Sequence, residues 1–273
     1  MDASLPVGVF DSGVGGLTVL RAMLRRLPHE DMLYLGDTAR LPYGTKSSRT
    51  VARYAAQAAS KLVERRIKLL VVACNTASAA ALDDLQALWP ELPVIGVVAP
   101  GAKAACAASR NGSIAVIATE STIGNQAYHA AIRGINPQAR ISAGACSLFV
   151  SLAEEGWLDG PIPEAVAERY LAPLFREAGP PAPDCLLLGC THFPALLAPI
   201  RKVLGGETRI VDSAETTAEA VEEALFGLKA LNPRSGPGQV SFMTTDDPPR
   251  FARIGAVFLG RPLSAREVEL INL

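Results

Sequence analysis

Short, continuous aliphatic runs recur along the chain, each closed by a glycine or a small polar residue and followed by apolar positions at helical spacing. Runs of this kind read as strands buried on both faces of a parallel sheet, and the stretches after them read as crossover helices. The opening PVGVFDSGVGGLTVLRAMLRRLP predicts a strand over Val7 to Phe10, a glycine-rich turn, and a helix with Leu17, Leu20 and Leu24 on its apolar face. The alternation continues through DMLYLGD, an alanine-rich helix from about Thr50 to Arg66, the run ending at Cys74 with its helix, and PVIGVV from Pro93 to Val98. A second series begins at SIAVIAT, with a strand over Ile114 to Ala118. A polar turn from Thr119 to Thr122 then leads into a helix through Tyr128, and a later run ends at Cys190.

The two series read as an internal duplication, since each has a polar residue after its first strand and a cysteine after a later one. The predicted fold is therefore α/β: two similar α/β domains with mainly parallel sheets, related by a pseudo-two-fold axis, with the active site in the crevice between them. Residues 1–98 with 209–273 are expected to form the first domain and 99–208 the second. The Pro- and Gly-rich stretch from Asn232 to Gly238 is expected on the surface, and FARIGAVFLGRPL is expected to supply a final helix and a short strand that rejoin the first domain.

Length and composition narrow the picture. A chain of 273 residues accommodates two modest domains. Its formal net charge of -1 indicates neither a phosphate-binding surface nor an acidic tail, so nucleic acid is not an expected partner. No leader pattern opens the sequence and no apolar run is long enough to cross a bilayer, so a soluble cytoplasmic protein without membrane attachment is expected. The five cysteines, Cys74, Cys106, Cys146, Cys185 and Cys190, are odd in number and lack CxxC spacing. That argues against a disulfide framework and a closed zinc site, and reduced thiols are expected.

Cys74 in LLVVACNTASAAAL and Cys190 in CLLLGCTHFPALL occupy matched settings at the carboxyl ends of buried strands, the edge where ligands bind in open α/β sheets. A single cysteine after an apolar run reads most simply as a small buried hydrophobe, but two presented alike point to paired acid/base work. Asn75 and Thr76 follow the first thiol, Thr191 and His192 the second, and each pair brings donors to a helix N-terminus that also favours thiolate. Cys106 and Cys146 lack that strand-end setting and Cys185 begins the strand that Cys190 ends, so these three read as structural. DSGVGG is neither a GxGxxG fingerprint nor a Walker A loop. Its glycines read as a tight turn that aims Asp11 and Ser12 into the crevice, with Asp11 as the N-cap of the next helix standing as the simpler alternative. His192 alone would read as a structural or surface histidine, and its place beside Cys190 is what raises a catalytic reading. Glu154 and Glu155 are not distinguished locally.

The segments GVFDSGVGGLTV, YLGDTARLPYGTKS, VVACNTASA, PVIGVVAPG, IAVIATESTI with Tyr128, LAEEGW, LLGCTHFPAL, VDSAETTA and FLG occur in an order that resembles the bacterial glutamate racemases, within the cofactor-independent aspartate/glutamate racemase family. The resemblance spans nearly the whole chain. It implies an isomerase that interconverts L-glutamate and D-glutamate for peptidoglycan, with Cys74 and Cys190 as proton donors and acceptors on opposite faces of Cα. It implies Asp11 as the partner of Cys74, and Glu154 with His192 as partners of Cys190. Substrate-binding positions implied are Asp11, Ser12, Tyr43, Gly44, Asn75, Thr76, Thr119, Thr122, Thr191 and His192. No cofactor and no metal are implied, and a homodimer is the assembly common in the family. Asn125 stands where the family has serine, and Ser147 and Ser151 replace prolines.

The residues suit that chemistry. Inversion requires removing a proton from one face of Cα and returning one to the other, which two facing thiols of ordinary pKa about 8.5 can do by exchanging thiol and thiolate roles. A PLP enzyme would need a Schiff-base lysine, and neither strand-end segment contains one. Aspartate or another amino acid as substrate, a Cys190–His192 thiol enzyme, and a two-lobed binding protein are the competing readings.

Overall fold

Two parallel sheets organise the molecule, and each repeats the same strand order. The computed structural model describes residues 2–273. In the first half, β1 (Val7–Asp11), α1 (Leu17–Arg26), β2 (Met32–Gly36), α2 (Ser48–Glu64), β3 (Leu69–Val72), α3 (Asn75–Leu88) and β4 (Val94–Gly96) alternate, and α4 (Val98–Ala108) crosses to the second half. There follow β5 (Ser113–Ala118), α5 (Glu120–Asn125), α6 (Ala127–Ile135), β6 (Arg140–Ala145), α7 (Leu148–Glu154), α8 (Pro161–Glu177), β7 (Cys185–Gly189), α9 (Leu197–Leu204) and β8 (Arg209–Asp212). The chain then returns through α10 (Ser213–Gly227), β9 (Val240–Thr244), α11 (Pro248–Leu259) and β10 (Val268–Leu270).

The sheets run β10-β9-β2-β1-β3-β4 and β6-β5-β7-β8, with every pairing parallel. Without β9 and β10 the first sheet is second-first-third-fourth, as is the second sheet. Thus β1 corresponds to β5 and β3 to β7. These four central strands are buried along their whole length, which is why they appear as unbroken aliphatic runs. Each sheet is covered on both faces. In the first, Leu17, Leu20, Val221 and Phe258 pack on one side and Val51, Ala55, Ala77 and Leu85 on the other. In the second, Phe149, Leu171 and Ile200 pack on one side and Ala102, Tyr128 and Ile132 on the other.

Helix ends follow local chemistry. Ser47 caps α2 through Thr50 N at 3.4 Å, Asp212 caps α10 through Ala214 N at 2.8 Å, and Asp247 caps α11 through Arg250 N at 3.0 Å. Gly260, at φ +73, ends α11 in the left-handed conformation that glycine adopts without a Cβ penalty.

Several expectations are corrected. Residues 209–212, assigned from sequence to the first domain, form β8 and pair with β7, so the return crossing follows Asp212. The four-residue RIVD is a partly exposed edge strand, and so short a segment does not announce its sheet. Thr119 to Thr122 is not a separate turn. Thr119 is the N-cap of α5, and Gln126 in the left-handed region (φ 57) breaks α5 from α6 before Tyr128. The last strand lies at Val268–Leu270, beyond FARIGAVFLGRPL. Cys146 does occupy a strand end, directly after β6, with its backbone N–H donating to Ala118 O at 2.8 Å. The run ISAGA is small and half-exposed at a sheet edge, so it lacks the aliphatic signature that reveals the central strands. Finally, Cys190 does not precede an α-helix directly. A short 3-10 turn, Phe193–Leu196, intervenes, and α9 starts only at Leu197. Pro199 contributes to this: it lacks the N–H that would donate to Ala195 O, so α-helical bonding does not run back into the 3-10 turn, and Pro199 is tolerated in the first turn of α9.

Candidate active site

The carboxyl ends of both sheets border one cavity of about 360 Å³. From the first sheet come Ser12 after β1, Tyr43 and Gly44 after β2, and Cys74, Asn75 and Thr76 after β3; from the second come Thr119 after β5, Ser147 and Ser151 around α7, and Cys190, Thr191 and His192 after β7. Strand-to-helix turns leave side chains and unpaired backbone donors at this edge, and two sheets meeting there enclose them on both sides.

Cys74 is the N-cap of α3. Its Sγ accepts from Ala77 N at 3.4 Å and donates to Ser12 Oγ at 3.4 Å. Burial, then the neighbouring Asp11 charge, pushes this thiol up to about 12, against the opposing pull of those two hydrogen bonds. Asp11 is fully buried behind the cavity wall. Its Oδ2 accepts from Gly13 N at 2.9 Å, while Oδ1 has no hydrogen-bond partner among the described residues. Burial raises the Asp11 carboxyl above its ordinary value, partly offset by the charge of His192 and by backbone donors of the glycine turn. The residue capping position of α1 is Gly16, so Asp11 serves the turn rather than the helix end. It acts on Cys74 through charge, with Ser12 as the hydrogen-bonding neighbour.

Cys190 has different company. His192 Nδ1 lies 3.8 Å from its Sγ, and His192 Nε2 lies 3.2 Å from Glu154 Oε1. Burial disfavours an imidazolium here, yet hydrogen bonds to Cys190 and Glu154 and the charges of Cys190 and Asp11 outweigh it and raise His192 to about 10. Burial likewise opposes the Glu154 carboxylate, but His192 and then Arg250 hold its pKa below the ordinary value. Glu155, next in the chain, is exposed. The fold thus separates two residues that look alike in sequence.

Around the thiols, polar side chains hold one another by hydrogen bonds. Thr76, Thr119 and Thr122 bring three hydroxyls from the two sheets together: Thr76 Oγ1 is 3.0 Å from Thr119 Oγ1 and 3.2 Å from Thr122 Oγ1, and the latter two are 3.0 Å apart. Tyr128 donates to Asn75 Oδ1 at 2.5 Å, so the Asn75 amide presents its NH₂ side, which donates to Ser213 Oγ at 3.3 Å. Tyr43 donates to buried Asp37 Oδ2 at 2.5 Å. The glycine turn is explained by space. A Cβ on Gly15 would run into the His192 imidazole and the Thr191 hydroxyl, and one on Gly44 would come within 2.7 Å of Thr119 Cβ. Both glycines let the halves approach.

Of the positions singled out from sequence, Ser12, Tyr43, Gly44, Cys74, Asn75, Thr76, Thr119, Cys190, Thr191 and His192 line the cavity, whereas Asp11, Thr122 and Glu154 stand behind its wall. Asn125 is exposed and donates to Ser48 Oγ at 3.4 Å, away from the cavity, while Ser147 and Ser151 are in its wall. Sequence reasoning missed the apolar lining from Leu41, Pro42, Leu148 and Val150, and it missed Asp37, which stands outside the lining and accepts from Tyr43. Asp37 follows the strand-like YLG as Asp11 follows its own strand, a signal that could have found it. Among the described residues no group of three or more His, Cys, Asp or Glu side chains is arranged to hold a metal ion, and no helix is long and apolar enough to cross a membrane.

Known proteins are similar to this chain over most of its length. Residues 7–221 match the family model described as Asp/Glu/Hydantoin racemase. A glutamate racemase of Geobacter metallireducens is 52% identical over 257 residues, 94% of this chain and 93% of that protein. Among solved structures, glutamate racemase from Francisella tularensis in complex with D-glutamate is similar at a TM-score of 0.90 and 37% identity, covering 98% of each chain. A glutamate racemase isoform from Bacillus anthracis is similar at 0.92 and 36%, also covering 98% of each chain.

Proposed function

The chain belongs to the Asp/Glu/Hydantoin racemase family, and we propose that it interconverts L-glutamate and D-glutamate by a two-base mechanism in which Cys74 and Cys190 work from opposite faces of Cα. One observation carries this reading: both thiols, placed after the equivalent strands β3 and β7 of two sheets, line a single cavity. The naming of close relatives as glutamate racemases supports the substrate.

In one direction, a cysteine thiolate takes the Cα proton and becomes a thiol while the electron pair stays on carbon. The opposite cysteine thiol then delivers its proton to the other face and becomes the thiolate. Each turnover leaves the two roles exchanged, ready for the reverse reaction. Cys74 by itself strongly prefers the thiol, because burial and Asp11 disfavour its anion. The substrate's α-ammonium brings a positive charge that the Cys74 side lacks, and this lowers the cost of the thiolate when it is needed. On the other side His192, kept protonated against burial by its hydrogen bonds to Cys190 and Glu154, supplies charge next to Cys190.

The carbanionic transition state is stabilised by oriented donors in a partly closed, low-dielectric cavity: Ser12, Asn75, Thr76, Thr119 and Thr191. Among the described residues no lysine lines the cavity, so PLP has no Schiff-base partner there, and the reaction is read as cofactor-independent. The D-glutamate formed is assigned to peptidoglycan synthesis, the role carried by the resemblance.

The test is direct. Purified protein without added PLP should bring either glutamate enantiomer to a racemic mixture, followed by circular dichroism. Retention of full activity in Cys74→Ser or Cys190→Ser sinks the two-thiol mechanism, and turnover of aspartate in preference to glutamate reassigns the substrate.

A further inference from the structure

The acid/base pair beside Cys190 is held from the other half of the molecule. Glu154 is the last residue of α7, where the negative end of the helix dipole disfavours a carboxylate. Two cations compensate. Glu154 Oε1 faces His192 Nε2 at 3.2 Å, and Glu154 Oε2 faces Arg250 Nη2 at 3.4 Å. Arg250 lies in the first turn of α11, which packs on the first sheet, whereas Glu154 and His192 belong to the second unit. The same helix touches the dyad again about two turns further along its face, where the Phe258 ring meets His192 edge-on with centroids 5.0 Å apart at 72°. Asp246 and Asp247 line the same small cavity as Arg250 and Glu154, but Asp247 Oδ1 accepts from the Arg250 backbone N–H at 3.0 Å as the N-cap of α11, and among the described residues the guanidinium pairs with Glu154. Its reach to Glu154 is what joins the halves at this point.

We infer that Arg250 is a positioning residue for proton transfer at Cys190: by clamping Glu154 across the two units it orients the His192 imidazole against that thiol. The inference rests on the two-cysteine reading and deepens it. Arg250 touches neither thiol, so its contribution passes through Glu154 and His192 and affects one face of the substrate only.

Racemisation has an equilibrium constant of one, so any variant must lower kcat/KM equally for both enantiomers; the one-sided effect appears instead in isotope effects. Full-length wild type, Arg250→Met and Arg250→Lys are compared with L- and D-glutamate deuterated at Cα. Arg250→Met should lower kcat/KM roughly two- to fivefold, as expected for a half-exposed ion pair. It should raise the primary isotope effect for the enantiomer that Cys190 deprotonates, because that step becomes more limiting, and lower it for the enantiomer that Cys74 deprotonates. Arg250→Lys should return both isotope effects toward wild type. Parallel changes for the two enantiomers, unchanged isotope effects, or a lysine variant no different from methionine would each overturn the assignment while wild-type racemisation stands. A wild type that does not racemise glutamate overturns the two-cysteine reading and this assignment with it.

Discussion

Gly15, in the turn after the first strand, lies so close to His192 that no Cβ fits between them. The glycine-rich DSGVGG segment thus works as a contact surface between the two halves, with the histidine beside Cys190 pressed against it. Gly15→Ala should force His192 or the whole second unit to shift. We expect kcat/KM to fall by about two orders of magnitude, the scale on which small misplacements of catalytic groups are felt. Thermal unfolding should change far less, since overpacking costs about 1–3 kcal/mol. Wild-type activity in Gly15→Ala would show that the halves meet more loosely.

Because each thiol serves one face of Cα, a single-cysteine variant should retain half of the chemistry. In D₂O, Cys74→Ala should wash deuterium into Cα of the enantiomer that Cys190 addresses, without inversion, and Cys190→Ala should do so for the other. Proton NMR of recovered glutamate reads both. Exchange into the same enantiomer in both variants contradicts opposed bases.

Asp11 raises the Cys74 pKa through its charge, second to burial. Removing that charge in Asp11→Asn should therefore lower the Cys74 pKa from about 12 and increase the thiolate fraction at neutral pH. Alkylation of Cys74 by iodoacetamide, followed by peptide mass spectrometry, should be slow in wild type with a rate still climbing at pH about 10. It should be faster in the variant. Slower alkylation in Asp11→Asn would mean that the carboxyl acts on the thiol as a neutral donor.

The His192–Glu154 pair sets a pH window. His192 is raised from 6.5 to about 10, so its contribution to stability is complete below about 6.5 and is lost as pH rises through about 10. Glu154 is lowered from 4.5, so its contribution is present above that value and is lost as pH falls through its folded pKa. Glu154→Gln should cost on the order of 1–3 kcal/mol in urea unfolding near pH 7, as for a charge-assisted hydrogen bond. The difference from wild type should shrink beyond both ends of the window, and the His192 imidazole resonances should titrate at lower pH in the variant. A pH-independent difference would assign Glu154 a packing role alone.

The thiols and their strands were legible because the signals are local. A central parallel strand is buried on both faces and shows as LLVV or CLLLG wherever it sits in the chain, and the residue after it stands at the carboxyl edge whatever lies across the crevice. Edge strands were less legible. ISAGA and RIVD bury only part of their surface, so the position of Cys146 and the crossing after Asp212 did not show. Glu154 was separated from Glu155 by resemblance, and the structure gives the physical reason in its approach to His192.

From sequence alone, then, came the α/β alternation, its duplication, and two cysteines at matched strand ends, since backbone hydrogen bonding and burial impose those patterns within a few residues. The tertiary structure decided what faces each thiol. Ser12 and the Asp11 charge attend Cys74, while His192, Glu154 and Arg250 attend Cys190. Those partners lie on separate strands and helices, and Arg250 comes from the opposite half of the molecule. Their electrostatic effect depends on distance and burial in the assembled fold, which no local pattern of residues records.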